Sequence, residues 1–443
     1  MKDDSFKYST YNHLNLDNGV SKMYLKKIEL ENIKTFKRFS FELDQDEDPA
    51  GWHVILGNNG AGKSTFIRAA AVGLMGPQEA IKSRHTFYEW VNKGGESALI
   101  RMELIQDRAL DSWAQKGKQQ VDNLSYTLKI TKDGSFTTHS RNSPNRHVWS
   151  GKKGWFSVSY GPFRRFSGGN SEYQKLFYSS PLLARHLSVF GEDVALTETL
   201  EWLKELRFKE LEKPNSIEAN LLKKIKDFVN QDDFLPNGVK FKGVSSDGIE
   251  FVDSNQTQVN IESLSDGYRS VLSMTLELIR QMVDCYETDK VFCSEGITIA
   301  YPGVVFIDEV DVHLHPIWQR KIGKWFTEHF PRIQFIVSTH SPLVCQSAVT
   351  GSIWKLPNFI ENQKGYRVRG IELDRLLYGN ILEALSSDVF GVGIERSDEA
   401  QELLKQLAEL NIKSQFGGNL TEEEVAKKQR IQRIFGTSVE AKK

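Results

Sequence analysis

The chain of 443 residues has almost no net charge, few cysteines and no long apolar run. With 57 Lys and Arg against 58 Asp and Glu, its formal charge is −1. This excludes a protein whose whole surface is adapted to nucleic acid, so any such contact must use a local basic patch. Cys285, Cys293 and Cys345 form no Cys-x-x-Cys pair, which indicates reduced thiols. Without a signal peptide or a membrane-spanning run, we expect a soluble, cytoplasmic protein without membrane contacts.

Longer patterns are missing as well. No heptad repeat persists, which excludes long coiled-coil arms, and there is no internal repeat. Leucines at helical spacing predict only a short helical insertion at about residues 188–230. After His340 we find neither an acidic Asp-x-Asp cluster nor a grouping of histidines. The sequence therefore predicts no nuclease site in this chain.

The sequence does contain four short motifs, which follow one another along the chain. They are GNNGAGKS at residues 57–64, SLSDGYRS at 263–270, VVFIDEVD at 304–311 and IVSTHS at 336–341. The first follows the apolar run 52–56 and precedes a run of helix formers, which is the strand, loop and helix context of a P-loop. Its glycines let backbone N–H groups point at phosphate oxygens at a helix N-terminus.

This loop predicts a site for ATP and Mg²⁺. Lys63 would reach the β- and γ-phosphates, and the Ser64 hydroxyl would hold Mg²⁺. The residues expected around the phosphates are Gly57, Asn58, Asn59, Gly60, Ala61, Gly62, Lys63, Ser64 and Thr65. In the third motif an apolar strand ends at Asp308, whose carboxylate would complete the magnesium shell. Glu309 follows it and would orient or deprotonate the attacking water.

The second and fourth motifs resemble those of ABC-type ATPases. SLSDGYRS is similar to their signature motif, usually LSGGQ. The resemblance implies that Ser265 and Gly267 contact the γ-phosphate held by a second subunit, so that two heads close on ATP. A serine hydroxyl and free amides at a helix N-terminus favour an anion. The resemblance further implies that Asp311 belongs to the D-loop, which links the two sites, and that His340 is the switch histidine at the γ-phosphate.

The opening LKKIELENIKTFKRFSFEL resembles the SMC, RecF and OLD group of these ATPases, not the transporter ATPases. This implies an α/β P-loop NTPase fold with a mixed-sheet lobe and a helical lobe. It also implies that Lys34 and Thr35 lie near the base and the ribose. SMC-type heads carry a glutamine-glycine pair in the Q-loop, where this chain has Tyr160-Gly161. Gln106 is a poor substitute for the missing glutamine.

Within that group the chain is most similar to the Septu-type antiviral defence ATPases (PtuA), with the PARIS-type ATPases as near neighbours. YGPFRRF, ALTETLEWLKEL and ILEALSSDVFGVGIERS carry this resemblance. It implies an ATPase that works with a separate nuclease, of the HNH type or else of the Toprim type. A RecF-like DNA-loading ATPase and a nucleotide-gated scaffold with little turnover are the alternatives.

We expect three segments: a flexible polar tail at residues 1–22, an ATPase head at 23–357 and a mostly helical region at 358–443. Basic stretches could contact nucleic acid, although a solvated face is the usual role of such runs. They are Lys34, Lys37 and Arg38; Arg164 and Arg165; and Lys223, Lys224 and Lys226. His313 and His315 have no acidic third ligand nearby, so we interpret HLHP as part of the D-loop and a helix start, not as a metal site.

Overall fold

The computed structural model describes residues 23–106, 122–150, 155–163, 179–191, 197–231, 234–235, 238–246, 248–259, 264–286, 291–293, 298–358, 363–385, 387, 389–390, 397–416 and 420–435. The predicted tail at 1–22 and the pair Arg164 and Arg165 lie outside them. The described residues up to Tyr378 form one compact unit, and those from Gly379 onward form a second. The domain division made from the sequence stays a prediction. No helix in the described parts of the chain is long and apolar enough to span a membrane.

The strands in the described ranges group into three sheets. Their orders are β2-β1-β4-β5-β6, β10-β9-β8 and β14-β13-β3-β12-β11-β7. The strands are β1 Tyr24–Ile33, β2 Phe36–Glu42, β3 Gly51–Leu56, β4 Ser97–Ile105, β5 Asn123–Thr131, β6 Phe136–Ser140, β7 Ser157–Tyr160, β8 Lys240–Ser245, β9 Gly248–Val252, β10 Gln258–Val259, β11 Gly303–Ile307, β12 Ile333–Thr339, β13 Gly351–Lys355 and β14 Tyr366–Arg367.

The helices are unevenly distributed along the chain, with several between the strands and a run of them at the end. They are α1 Lys63–Lys82, α2 Pro181–Ala184, α3 Thr197–Glu212, α4 Ile217–Val229, α5 Asp266–Cys285, α6 Pro316–His329, α7 Pro342–Cys345, α8 Gly370–Tyr378, α9 Ile381–Leu385, α10 Asp398–Gln415 and α11 Glu422–Phe435. Short 3₁₀ turns occupy Tyr88–Trp90, Pro144–Arg146 and Leu187–Val189. The mixed sheets with a helical part confirm the expected fold class.

The five-stranded sheet is antiparallel throughout. Along β4 and β5, buried positions alternate with more exposed ones, as the period of a half-buried strand requires. The hairpin between β5 and β6 turns at Gly134, whose φ of +81° is readily adopted by glycine. Asp133-Gly134 is thus the turn of this hairpin, as is common for an Asp-Gly pair.

The six-stranded sheet forms the centre of the first unit. β13, β3, β12, β11 and β7 are parallel, and only β14 is antiparallel. Every residue of β3, β7, β11 and β12 is buried. Continuous apolar runs are typical of parallel strands covered on both faces, so the runs at 52–56 and 304–307 form strands for that reason.

The helix after the glycine loop is interrupted near its middle. Gly76 has a φ of +80° and is followed by Pro77, which has no N–H to donate to the Gly73 carbonyl oxygen. Trp149 Nε1 and Tyr126 Oη instead donate to that oxygen, each at 2.8 Å. A Cβ at Gly76 would lie 2.6 Å from the Trp149 ring, so glycine is required there.

The second unit contains α9, α10 and α11. Leu407 and Ile431 are its buried apolar residues on the two longer helices. Lys413 Nζ lies 2.7 Å from Glu424 Oε1, which joins α10 to α11. Ser397 begins α10 by accepting a hydrogen bond from Ala400 N, the usual arrangement for a serine N-cap.

Candidate nucleotide-binding site

The parallel strands bring three of the sequence motifs to one edge of the central sheet. Leu56 of β3 pairs with Thr339 of β12, and Ile307 of β11 pairs with Val337 of β12. The glycine loop, Asp308 and His340 therefore follow the carboxyl ends of neighbouring strands. This is the edge at which ligands bind in open α/β sheets.

The glycine loop has the backbone of a phosphate cradle. Gly60 and Gly62 have φ of +77° and +102°, and α1 begins directly after Gly62. A Cβ at Gly62 would lie 2.8 Å from Thr35 Oγ1 and from the Phe36 ring. Asn58, Asn59 and Gly60 are exposed, whereas Ala61 is buried and Gly57, Ser64 and Thr65 are partly buried. The loop is thus open on the side where α1 presents its unpaired N–H groups.

Lys63 folds back over this loop. It is 6% exposed, and its Nζ donates to the Gly57 and Asn58 carbonyl oxygens at 2.8 and 3.3 Å. Burial lowers the pKa of Lys63, while the nearby carboxylates of Glu309 and Asp308 act in the opposite direction. An incoming phosphate would offer this ammonium group a stronger, charged acceptor than the two carbonyls.

Asp308 is 2% exposed, and its carboxylate is held by the neighbouring strand. Ser338 Oγ donates to Asp308 Oδ1 at 2.5 Å and accepts from Glu309 N at 2.8 Å. Glu309 itself has a φ of +47°, which a non-glycine residue adopts only when its surroundings impose it. One hydroxyl therefore fixes both residues that the sequence assigns to magnesium binding and to the attacking water.

Asp311 and His340 lie beside this pair. Thr339 Oγ1 donates to Asp311 Oδ1 at 2.5 Å, so the residue before His340 is bound to the predicted D-loop. Burial and the Lys63 charge lower the pKa of His340, and Asp311 and Asp308 oppose this shift. The imidazole is therefore neutral at physiological pH, when it can either donate to or accept from a ligand.

The signature segment lies on another part of the same unit. Ser265 is exposed and is the N-cap of α5, but its side chain makes no capping hydrogen bond. Gly267 is buried against the D-loop: a Cβ there would lie 2.6 Å from the His313 carbonyl oxygen. Asp266 and Arg269 form an ion pair within the first turn of α5. Among the described residues, no hydrogen bond joins this turn to the glycine loop.

Lys34 and Thr35 lie at the turn between β1 and β2, next to the glycine loop. Thr35 Oγ1 approaches Gly62, as described above, and Lys34 has a φ of +46°. The turn is held by Lys34 N donating to Trp90 O at 2.7 Å and by Asn92 Nδ2 donating to Lys34 O at 2.6 Å. Burial lowers the pKa of Lys34, and so does the neighbouring charge of Arg68. The Lys34 side chain is partly buried, with its Nζ 5.9 Å from the centre of the Trp90 ring.

Tyr160 stands at the Q-loop position and Gln106 is the poor substitute for its glutamine, and the two lie at the ends of strands of different sheets. Tyr160 ends β7, and its carbonyl oxygen accepts from Asp308 N at 2.8 Å. Its hydroxyl is buried without a hydrogen-bond partner in the described structure, near Glu277 and Arg280 of α5. Gln106 follows β4 in the other sheet, and its N donates to Asp122 O at 2.8 Å. The Tyr160 side chain thus packs toward α5, whereas its backbone is hydrogen-bonded to Asp308.

Two histidines of HLHP belong to the loop that connects Asp311 to α6. His313 has a φ of +65° and is exposed. His315 is the N-cap of α6, with Nδ1 accepting from Ile317 N at 3.3 Å. Their interpretation as a loop and a helix start agrees with this geometry.

The residues that could hold Mg²⁺ fit that ion. Asp308 offers an oriented carboxylate, and Ser64 offers a hydroxyl in the first turn of α1. In the described ranges no group of three His, Cys, Asp or Glu could hold a metal alone. Mg²⁺ takes most of its ligands from phosphates and water, so two protein ligands suffice.

The structure adds residues that the motifs alone do not assign. Ser338, Thr339 and Gln319 orient the carboxylates and the D-loop through hydrogen bonds. Ser338 and Thr339 stand inside the fourth motif, and two hydroxyls beside a candidate histidine were a usable signal. Gln319 has no such signal, because its partners are set by how α6 packs.

The glycine loop, the aspartate and glutamate after β11, and the signature turn of α5 define a P-loop ATPase head of the ABC type. The chain belongs to the family described as "AAA domain, putative AbiEii toxin, Type IV TA system", which matches residues 78–346. The match begins inside α1, after the glycine loop.

The chain is also similar to named proteins. The Septu protein PtuA of Bacillus mycoides (strain KBAB4) is 26% identical over 385 residues, which are 82% of this chain and 47% of that protein. The Retron Vc95 probable ATPase of Vibrio cholerae serotype O1 biovar El Tor is 23% identical over 387 residues, 75% of this chain and 73% of that protein. The chain thus spans about half the length of the Bacillus relative. The solved SMC head domain from Thermotoga maritima superposes with a TM-score of 0.43 at 15% identity, covering 78% of this chain and 99% of that one.

Proposed function

We propose that this chain is the ATP-binding and ATP-hydrolysing subunit of a prokaryotic antiviral defence system. In this proposal two copies close on ATP and hold or restrain a separate nuclease. The observation that carries it is the divided site. Lys63, Asp308 and His340 gather at one sheet edge, whereas the Ser265 hydroxyl makes no capping hydrogen bond at its helix N-terminus, and in the described part of the chain no hydrogen bond joins its turn to the glycine loop. A second copy would supply the missing half.

Several residues of the site would bind the ATP phosphates and Mg²⁺. Lys63 would exchange its carbonyl partners for the β- and γ-phosphate oxygens, and the amides of the glycine loop would hold the same phosphates. Ser64 and Asp308 would be the protein ligands of Mg²⁺. That ion, when bound, neutralises charge on the transferred phosphoryl group.

Hydrolysis would use the residues next to these. Glu309 would orient the attacking water and accept its proton. His340 would donate a hydrogen bond to the γ-phosphate. Ser265 and Gly267 of the second copy would add a hydroxyl and an amide to the same phosphate, so that closure and hydrolysis depend on each other.

Glu309→Gln tests the ATPase and the dimer together. The amide cannot take a proton, so hydrolysis should fall by about 100-fold or more while ATP binding persists. Size-exclusion chromatography should then show an ATP-dependent dimer that outlasts that of the wild type. Glu328→Gln, an exposed change on α6, is the matched control and should leave both properties unchanged. A variant that neither dimerises with ATP nor loses hydrolysis would show that the site is wrongly assigned.

The defence role rests on the relatives, which are named for Septu and retron systems. The expected partner is an HNH-type nuclease, with a Toprim-type nuclease as the alternative. Cells that carry this gene together with the gene of such a nuclease should survive phage infection, and Lys63→Ala should abolish both that protection and nucleotide binding. Protection that persists with Lys63→Ala would separate defence from the ATP site.

The second candidate function is that of a RecF-like DNA-loading ATPase. The nucleotide site does not require this function, but one observation favours it. Lys223 and Lys226 are exposed on α4 and form a local basic face. In that case the purified chain alone should show DNA-stimulated hydrolysis, lost in Lys223→Glu/Lys226→Glu. The defence proposal expects no DNA stimulation without the nuclease.

A further inference from the structure

Both neighbours of His340 are hydrogen-bonded toward the D-loop. On one side, Thr339 Oγ1 donates to Asp311 Oδ1 at 2.5 Å. On the other side, Ser341 Oγ donates to Gln319 Oε1 at 2.7 Å. The two sides are joined, because Ser341 N donates to Thr339 Oγ1 at 2.9 Å. The backbone at His340 is therefore held from the D-loop side at both ends.

Gln319 uses both ends of its amide in this arrangement. Its Oε1 accepts from Ser341, while its Nε2 donates to Leu314 O at 2.9 Å and to Asp311 O at 3.4 Å. Its backbone N donates to His315 O at 3.1 Å, which holds its backbone in the first turn of α6. One partly buried amide thus connects the loop 311–314 to the residue that follows His340.

The same loop touches the signature helix. The His313 carbonyl oxygen lies where a Cβ of Gly267 would be only 2.6 Å away. Glu309 and His313 both have positive φ, of +47° and +65°. Non-glycine residues hold such angles only when contacts on several sides impose them, so this loop is a fixed element and not a slack connection.

We propose that Gln319 is a positioning residue that couples the D-loop to the switch histidine. It acts through Ser341 and Leu314 and does not touch the nucleotide. Contact of the second copy with the loop 311–314 or with the signature turn would then set the position of His340 at the γ-phosphate. This inference rests on the proposed ATP-dependent dimer and names how its two sites become dependent on each other.

Two substitutions at Gln319 distinguish the hydrogen bond that its side chain accepts from those that it donates. Gln319→Leu removes both the acceptor and the donor at nearly unchanged volume. Gln319→Glu keeps an acceptor for Ser341 Oγ but cannot donate to Leu314 O. Each lost hydrogen bond costs about 1 kcal/mol, or somewhat under tenfold in rate where the bond serves the reaction. Gln406→Leu, on α10 in the second unit, is the matched control for removing a helix amide.

The measurements are ATP binding, kcat, KM and the Hill coefficient for ATP on the full chain. In Gln319→Leu we expect ATP affinity and KM within about twofold of the wild type, kcat lowered by about tenfold, and a Hill coefficient near one. The kcat and the Hill coefficient of Gln319→Glu should lie between those of Gln319→Leu and the wild type. Those of Gln406→Leu should match the wild type. In a double-mutant cycle, Ser341→Ala should add little to Gln319→Leu, because both remove the same bond.

The outcomes are distinguishable. If the wild type forms an ATP-dependent dimer and Gln319→Leu keeps its kcat and cooperativity, the inference is wrong and the proposed function stands. If Gln319→Leu fails to fold, Gln319→Glu and Ser341→Ala decide: an unchanged kcat and Hill coefficient in both overturns the inference. If the wild type forms no such dimer and shows no hydrolysis, both the proposed function and the inference fall.

Discussion

Ser338 Oγ donates a 2.5 Å hydrogen bond to Asp308 Oδ1, although Ser338 belongs to β12, Asp308 follows β11, and the two lie 30 positions apart. The same oxygen accepts from Glu309 N at 2.8 Å. The carboxylate proposed as a magnesium ligand and the backbone of the proposed base are therefore fixed by one hydroxyl before any ligand binds. Such preorganisation removes a reorganisation cost from the reaction.

We predict that Ser338→Ala weakens the use of Mg²⁺ more than the binding of ATP. The buried Asp308 carboxylate loses a donor, and Glu309 N loses its acceptor, so kcat should fall by about tenfold. A Mg²⁺ titration of hydrolysis should show a higher half-saturating concentration. Ser347→Ala is the control, because Ser347 is also buried but donates to Arg320 O. An unchanged Mg²⁺ dependence in Ser338→Ala would contradict this role.

A second prediction concerns the contact between the signature helix and the D-loop. In Gly267→Ala the new Cβ would lie 2.6 Å from the His313 carbonyl oxygen, so α5 or the loop must shift. We expect ATP binding by the monomer to persist, since it uses the glycine loop, and ATP-dependent dimerisation to be lost. Light scattering with and without ATP measures this. Gly94→Ala is the control, because a Cβ there meets nothing within 4 Å; a dimer that forms equally well in both variants would refute the prediction.

The parts of the site that could be predicted from the sequence are the local ones. GNNGAGKS sets its own loop geometry through Gly60 and Gly62, and the apolar run 304–307 has to be a buried parallel strand. The carboxyl end of that strand is where Asp308 then stands. Fold class and family resemblance follow from such segments, and both are confirmed by the sheets and by the relatives.

What could not be predicted depends on which distant residues meet. Trp149 donates to Gly73 O across 76 positions, and neither residue belongs to a motif. The Ser338 and Thr339 bonds follow from the register of β12 beside β11, which no single segment encodes. The sequence places Tyr160 at the position of the Q-loop glutamine. Whether its side chain faces the nucleotide depends on packing against α5.

The orientation of Tyr160 yields a third prediction. Its hydroxyl is buried and has no hydrogen-bond partner in the described structure, and burial with the nearby Glu277 carboxylate raises the pKa of Tyr160. Tyr160→Phe removes that unsatisfied group, so the free energy of unfolding should rise by up to about 1 kcal/mol, with hydrolysis unchanged within about twofold. Urea unfolding and an ATPase assay measure the two effects.

Tyr126→Phe is the matched control for Tyr160→Phe. The Tyr126 hydroxyl is equally buried but donates to Gly73 O at 2.8 Å. Its removal takes away one of the two donors to that carbonyl among the described residues, so the free energy of unfolding should fall by about 1 kcal/mol. We therefore expect the free energy of unfolding to rise in Tyr160→Phe and to fall in Tyr126→Phe. A loss of Mg²⁺-dependent hydrolysis in Tyr160→Phe would instead place its hydroxyl in the nucleotide site.

The last prediction concerns the contribution of the buried His186 imidazole to stability in acid. It lies between Ser159 Oγ at 2.7 Å and Ser157 Oγ at 3.1 Å, and burial together with the Arg185 charge lowers its pKa to about 3. Above a pH of about 6.5 both folded and unfolded chains hold it neutral, so it adds no pH dependence. Below that, only the unfolded chain binds the proton, and the free energy of unfolding falls by about 1.4 kcal/mol per pH unit down to the folded pKa.

His186→Asn removes this titration. Urea unfolding at several pH values between about 7 and 5 should show a shallower decline in the variant than in the wild type, with a difference of about 2 kcal/mol over that range. The variant measured near pH 8 is its own control, because any loss there reflects packing and hydrogen bonds and not protonation. Equal slopes in the two proteins would mean that His186 is protonated in the folded state. The Ser157 and Ser159 hydroxyls would then be acceptors for an imidazolium rather than partners of a neutral ring.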